Sequence, residues 1–220
     1  MRIKLSKWFV LPAAVLLLGT VTLAQDQSSS SSSSQGSSTP SSTPSQQPTV
    51  QQRKENQQDR IANGVKSGQL TAGETANLEK KEAAVNAETR ADRAANGGKL
   101  TSGEKQQVNQ QQNQLSKQIY QDKHNANTAH YGNNEVGQRR ENQQDRIANG
   151  IKSGQLTAGE TAKLEKQQKN INHQVASDRA ANGGKLTSGE KQQINKEQNA
   201  ASKNIYNKKH NAKTQPGTKK

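Results

Sequence analysis

The chain has 220 residues, of which only 27% are hydrophobic, and it carries a formal charge of +14 with a mean hydropathy of −1.17. It contains no cysteine, which excludes disulfides, thiolate metal sites and a lipid-modified cysteine. A composition this basic and this poor in apolar residues lies close to that of disordered proteins, so local periodicity must supply the argument for folding.

Residues 1–24 are predicted to be a secretory signal peptide. Basic residues precede an apolar run over 8–21, and small residues follow that predict cleavage after Ala24. The run is too short for a typical membrane span, although an uncleaved anchor is the alternative. We therefore expect a secreted or periplasmic protein with no stable membrane span after signal cleavage. Without the three basic residues of this leader the formal charge falls from +14 to +11.

Residues 25–48 are rich in Ser, Gln, Thr and Pro and show no periodicity. Such a segment cannot bury enough apolar surface to offset the entropy lost on ordering, which predicts a disordered low-complexity linker. An O-glycosylated stalk is the alternative in a eukaryote, and the leader favours the flexible tether.

Beyond the linker the sequence repeats itself with a shift of 86 residues: 55–64 is matched letter for letter by 141–150, and 92–107 by 178–193. This indicates an internal duplication. The predicted domains are helical repeat 1 (49–128), a linker (129–136), helical repeat 2 (137–214) and a disordered basic tail (215–220).

Four copies of one short pattern predict where helices end and begin. A Gly in the left-handed conformation ends a helix, a buried-type Leu follows two residues later, and a Thr-x-x-Glu capping box opens the next helix. The glycines are Gly68, Gly98, Gly154 and Gly184, the leucines Leu70, Leu100, Leu156 and Leu186, and the boxes Thr71/Glu74, Thr101/Glu104, Thr157/Glu160 and Thr187/Glu190. The predicted helices span about 50–67, 72–96, 102–125, 136–153, 158–182 and 188–211.

These short loops favour antiparallel helical hairpins, so the predicted fold is all-α, with two tandem three-helix repeats. The apolar stripe of each helix is thin, with steps of seven residues such as Leu78 to Val85. We therefore expect marginal stability, helped by association between repeats or chains.

The stretch from Asn63 to Glu74 resembles a degenerate EF-hand loop. It keeps the central Gly68 and an acidic last position, and the resemblance implies calcium ligands at Asn63, Ser67 and Glu74, with equivalents at Asn149, Ser153 and Glu160. Each loop offers only one carboxylate, however, and calcium needs several oxygen ligands. A simple turn and helix cap is the favoured interpretation, calcium is the alternative, and no other cofactor is expected.

Tyr120 and His124 lie four residues apart on one helical face, as do Tyr206 and His210. One interpretation is a stacking patch or, if two tails meet, a pair of histidine metal ligands. The favoured interpretation is that each Tyr packs on the core and each His caps the end of its helix.

No nucleophile and base arrangement, phosphate loop or His-Glu metal motif is present, so no enzymatic activity and no small-molecule substrate are expected. The basic charge predicts an anionic partner, such as a surface polysaccharide, lipid head groups or nucleic acid. The candidate binding residues are Arg53, Lys54, Lys105, Arg139, Arg140 and Lys191. The alternatives are a self-associating structural protein of the envelope and a weak calcium-responsive module.

Overall fold

The computed structural model describes residues 48–215. This part of the chain contains six helices and no strand, which confirms the all-helical prediction. The helices are α1 (Val50–Lys66), α2 (Ala72–Ala95), α3 (Ser102–Lys123), α4 (Glu135–Lys152), α5 (Ala158–Ala181) and α6 (Ser188–Lys209). Every predicted boundary agrees within two residues. The predicted signal peptide, nearly all of the linker over 25–48 and residues 216–220 of the predicted tail lie outside the described residues.

Reciprocal capping boxes open most of these helices. At the start of α2, the Glu74 N–H donates to Thr71 Oγ1 at 3.3 Å, and the Thr71 N–H donates back to Glu74 Oε2 at 2.9 Å. The boxes predicted for α3, α5 and α6 form in the same way, and Thr49 with Gln52 caps α1. These helix starts are thus fixed by residues three apart in sequence, because both unpaired N–H groups find a local acceptor.

The turn after α1 depends on two glycines. Gly68 adopts φ 70°, a conformation that side chains with a Cβ disfavour. The Leu70 N–H donates to the Gly64 carbonyl at 3.0 Å, which folds Leu70 back onto α1. A Cβ on Gly64 would lie 2.7 Å from the Leu70 side chain, so only glycine permits this approach. Gly154, Leu156 and Gly150 repeat the arrangement after α4.

Helices α1, α2, α5 and α4 contact one another in a ring, with the most extensive contacts between α2 and α5 and between α1 and α4. Helix α3 lies against α1 and α2, whereas α6 lies against α4 and α5. All six helices belong to one compact unit, Gln46–Lys220.

The main hydrophobic cluster draws on both sequence repeats. It contains Ile61, Ala62, Val65, Leu70, Leu78, Leu115, Ile119, Ile147, Ala148, Ile151, Leu156, Leu164 and Ile205. A second cluster of Val136, Ile171, Val175, Ile194 and Ala201 comes from repeat 2 and the start of α4. The thin apolar stripes of the two repeats therefore cover each other, and this shared burial supplies the core that neither stripe offers alone.

Candidate functional site

A cleft of about 630 Å³ opens where the start of α1 meets the turn between α2 and α3. Arg93, Lys99 and Lys105 line it beside Leu100, and no Asp or Glu is among its lining residues. The turn that carries Lys99 is fixed by Gly98, which adopts φ 89° and donates its N–H to the Arg93 carbonyl at 2.7 Å. We name these three cations and their surroundings the first basic cleft.

The equivalent residues of repeat 2 line a second cleft of about 460 Å³. Its cations are Arg179, Lys185 and Lys191, each 86 residues after its counterpart, and we name it the second basic cleft. Glu135, from the start of α4, also lines this cleft. Its local charge is therefore lower by one than that of the first basic cleft.

The glutamates that precede Lys105 and Lys191 in the sequence are engaged at helix starts. The Thr101 N–H donates to Glu104 Oε2 at 2.7 Å, and this bond holds the pKa of the exposed Glu104 carboxyl below its usual value. Glu190 is held in the same way by Thr187. Both carboxylates satisfy the unpaired N–H groups of their own helices.

The structure distributes the predicted anion-binding residues between different roles. Lys105 and Lys191 are exposed and line the two basic clefts. Arg53 instead joins α1 to α3, because its Nη1 donates to Asn109 Oδ1 at 3.3 Å. Arg139 makes the equivalent bond from α4 to α6 at 3.1 Å. These two arginines therefore already have partners within the bundle.

Lys54 and Arg140 occupy equivalent positions on α1 and α4 and are not free surface cations. Lys54 is half-buried, and burial lowers its pKa although the nearby Glu82 carboxyl opposes that shift. Arg140 is only 5% exposed and donates through Nη2 to the backbone carbonyls of residues 130 and 131. Arg140 is therefore not part of an exposed basic surface, because the segment between the repeats folds over it, and its role in binding an anion stays a prediction.

Sequence reasoning missed Arg93, Lys99 and their repeat 2 equivalents as lining residues. The segment 92–107, which holds both, does recur unchanged at 178–193. From the sequence alone, that recurrence indicates an internal duplication with copied helix ends and caps. The basic residues inside the copied turn were the signal that pointed to a copied site.

The proposed calcium ligands have other partners in the structure. Glu74 Oε2 accepts from the Thr71 hydroxyl at 2.7 Å, and Glu74 Oε1 accepts from Asn125 Nδ2 at 2.7 Å and from Asn127 Nδ2 at 3.1 Å. Burial alone would raise the pKa of Glu74, but these hydrogen bonds lower it. The Ser67 hydroxyl donates to Gly64, while Asn63 is exposed on the last turn of α1.

Repeat 2 places Asn149, Ser153 and Glu160 in the same way, and Asn211 Nδ2 donates to Glu160 Oε1 at 2.7 Å. Within residues 48–215, no group of three or more His, Cys, Asp or Glu side chains is arranged to hold a metal ion. The glutamates tie the chain after α3 and α6 to the starts of α2 and α5. Calcium binding through these loops stays a prediction.

The two Tyr-His pairs are exposed, contrary to the expectation that the tyrosines pack on the core. Tyr120 is 60% exposed and stacks on His124 with ring centroids 4.2 Å apart. Tyr206 is 57% exposed and stacks on His210 at 4.1 Å. Each histidine is the C-cap residue of its helix, as expected. The core fills without the tyrosines because the repeats cover each other.

Buried carboxyl groups form a separate feature of the bundle, on α2 and α5. Glu79 and Glu165 are 0% exposed, and each has one hydrogen bond from a glutamine: Gln58 Nε2 donates to Glu79 at 3.1 Å, and Gln144 Nε2 donates to Glu165 at 2.9 Å. Burial raises the pKa of Glu165 to about 8 and that of Glu79 well above its ordinary value. Glu165 therefore retains its proton at neutral pH, because a buried charge is costly.

Comparisons with known proteins add no family for this chain. No protein-family model, curated protein or solved structure matches it. None of the six helices over residues 48–215 has an apolar stretch long enough to cross a bilayer. The clefts, their charge and their recurrence therefore carry the functional argument.

Proposed function

We propose that this chain is a secreted or periplasmic, non-enzymatic helical repeat protein that binds an anionic polymer through its two basic clefts. The two sequence repeats act as two copies of one binding unit, and the leader over residues 1–24 directs export. The Ser-rich segment over 25–48 serves as a tether. Without the three basic residues of the leader, 29 (32 − 3) Lys and Arg stand against 18 Asp and Glu, and this excess gives a long-range attraction to a polyanion.

The observation that carries this proposal is the recurrence of one cluster of cations in two places. Arg93, Lys99 and Lys105 converge on the first basic cleft, and their equivalents converge on the second. A polymer long enough to reach from one cleft to the other can engage both. Two linked contacts strengthen binding beyond what either gives alone.

An acidic polysaccharide fits the clefts better than a single-stranded nucleic acid does. No aromatic side chain lines either basic cleft, so the stacking platform that bases use is missing there. The lysines and arginines suit carboxylate or sulfate groups, and Leu100 offers a small apolar wall.

The test is binding of the purified protein to heparin, with single-stranded DNA and vesicles of anionic lipid as comparison ligands. We expect heparin to bind most tightly. Its affinity should fall steeply between about 50 and 200 mM salt, because each charge contact releases counterions. A variant with Arg93, Lys99 and Lys105 all changed to Gln should lose at least about tenfold in affinity.

The matched control changes three exposed lysines outside both clefts, Lys117, Lys163 and Lys166, to Gln. It removes the same formal charge, so the two variants differ chiefly in where that charge lies. Equal losses in both variants would mean that net charge acts without the clefts. Tighter binding to DNA or vesicles than to heparin would reject the polysaccharide as partner.

A further inference from the structure

A third cleft, of about 380 Å³, lies between the two repeats, where the start of α2 meets α4, α5 and the segment that joins the repeats. Its cationic lining is Arg140, Lys169 and Arg179, and no Asp or Glu lines it. We name it the inter-repeat cleft. The proposed polymer binding does not use this cleft, although one of its residues, Arg179, also lines the second basic cleft.

Arg140 brings a buried positive charge to this cleft without a carboxylate partner. It is 5% exposed, its Nε has no hydrogen-bond partner, and it forms no ion pair within residues 48–215. Its Nη2 donates to the His130 and Tyr131 carbonyls at 3.1 and 3.0 Å, and its guanidinium lies 5.3 Å from the Tyr131 ring centroid. These neutral partners orient the guanidinium but do not neutralise it, and arginine cannot lose its proton.

The equivalent position in repeat 1 has a carboxyl group nearby, whose pKa burial raises to about 7. Lys54, which corresponds to Arg140, faces the Glu82 carboxyl. In repeat 2 the residue that corresponds to Glu82 is Gln168. In repeat 1 the cation at this position therefore has a carboxyl group near it. In repeat 2 the buried Arg140 has an amide, that of Gln168, at the matching position. A buried charge without a partner is costly, which points to an anion supplied from outside.

Two further cations reach the same cleft. Arg179 lines the cleft together with Arg140, and its positive charge lowers the pKa of Arg140 after the larger effect of burial. The Lys169 Nζ lies 3.9 Å from the position that a Cβ on Gly73 would take, so its ammonium stands beside the first turn of α2. At the matching position repeat 1 has Ala83.

The starts of α2 and α5 differ in whether a side-chain oxygen accepts a hydrogen bond from the first turn of the helix. In repeat 2, Gln215 Oε1 accepts a hydrogen bond from the Ala158 N–H at 2.8 Å, on the first turn of α5. The residues at the matching positions of repeat 1 are Ala129 and Ala72, and both line the inter-repeat cleft. The methyl group of Ala129 cannot supply that oxygen, and the cleft opens beside it.

We infer that an oxyanion of phosphate or sulfate type binds in the inter-repeat cleft, held by Arg140, Lys169 and Arg179 at the start of α2. A helix start favours an anion because its N–H groups and dipole present positive charge. Arginine suits the assignment, since its planar donors match the oxygens of such an anion. Three cations that line one cleft favour a doubly charged ion over a carboxylate.

The test is calorimetric titration of the full-length protein with inorganic phosphate, with sulfate and acetate in parallel, at low ionic strength. We expect saturable one-site binding of phosphate and sulfate, and much weaker binding of acetate. Lys169→Ala, which installs the residue of repeat 1, should weaken phosphate binding at least about tenfold, because a charge-assisted contact is lost. The control is Lys166→Ala, which removes an exposed lysine of the same helix that does not line the cleft.

A second variant tests the position of the oxygen and does not depend on Arg140, whose loss would release the segment between the repeats. Ala129→Gln copies Gln215, so its amide oxygen should occupy the anion position and weaken phosphate binding about tenfold or more. Glycerol phosphate, titrated in parallel, distinguishes an esterified from a free anion: tighter binding than phosphate assigns an ester, weaker binding assigns the free ion, and both support the site.

The inference is overturned if phosphate shows no saturable binding up to roughly millimolar concentration, which is the weak limit of specific binding. Equal losses of phosphate binding in Lys169→Ala and Lys166→Ala would overturn it too. Acetate binding as tight as phosphate would contradict the doubly charged assignment. Heparin binding through the first basic cleft, measured on the Ala129→Gln variant, should remain unchanged. Failure of the polymer proposal and failure of this site therefore give different results.

Discussion

Repeat 1 and repeat 2 share the residues that shape the bundle and differ in residues that balance its charge. Ile61 and Ile147 are both fully buried, and Glu79 and Glu165 are both buried on the helices that meet at the centre. In contrast, Lys54 with Glu82 in repeat 1 becomes Arg140 with Gln168 in repeat 2. The comparison teaches that the duplicated scaffold constrains turns, caps and core, whereas its buried charges are free to diverge.

The largest expected effect tests whether the repeats fold as one unit. Ile61→Ala and Ile147→Ala each remove a fully buried side chain from the shared cluster, and each should lower the free energy of unfolding by about 2–5 kcal/mol. Both variants should retain a single urea transition, because each cavity lies in a cluster to which both repeats contribute.

The control for this pair is Tyr120→Ala, which truncates a side chain that is 60% exposed and should cost less than about 1 kcal/mol. Helicity followed by circular dichroism reports the transition. A biphasic curve, in which about half the helical signal is lost first in one variant, would show that the repeats unfold separately.

A smaller effect per pH unit concerns the buried carboxyl groups that both repeats share. The ordinary pKa of a glutamate side chain is 4.5, and below that pH Glu165 is protonated in both the folded and the unfolded chain. Between that pH and its folded-state pKa of about 8, only the folded chain holds the proton. Stability should therefore fall as pH rises through this window, by up to about 1.4 kcal/mol per pH unit for each such group. Glu79, with its pKa also raised by burial, adds to the same trend.

Glu165→Gln isolates this contribution, since an amide is the neutral analogue of the protonated acid and can still accept from Gln144 Nε2. The urea midpoint is measured at about pH 5 and about pH 8, which are roughly the edges of the titration window. The difference between the two midpoints should be smaller in the variant than in the native chain. Glu141→Gln, at an exposed position, is the control. Native stability that rises toward pH 8 would refute the sign of the argument.

Local sequence predicted the helix ends well because their determinants are local. The capping box at Thr71 and Glu74 needs only residues three apart, and the turn at Gly68 needs only its own backbone freedom. The first basic cleft was missed because its lining joins the start of α1 to a turn far along the chain. The burial of Glu79 was missed for the same reason: it arises where α2 meets α5, and no pattern within α2 reports that contact.

The smallest expected effect probes a difference in how the two repeats fill their cores. Val175 is 1% exposed in the second hydrophobic cluster, whereas its counterpart in repeat 1, Thr89, is 8% exposed and belongs to neither cluster. Val175→Thr should cost about 1–2 kcal/mol, because it buries a hydroxyl group among apolar side chains. Thr89→Val should stabilise the protein by up to about 1 kcal/mol, since it extends the apolar surface of α2.

A double variant that carries both Val175→Thr and Thr89→Val sharpens this test. The two sites lie on different helices, so their effects on the free energy of unfolding should add to within about 0.5 kcal/mol. Urea denaturation of the two single variants and the double variant measures the sum. If both single variants destabilise equally, Thr89 contributes a specific contact that valine cannot replace. The asymmetry of the two cores would then reflect a constraint on repeat 1 and not merely its smaller apolar content.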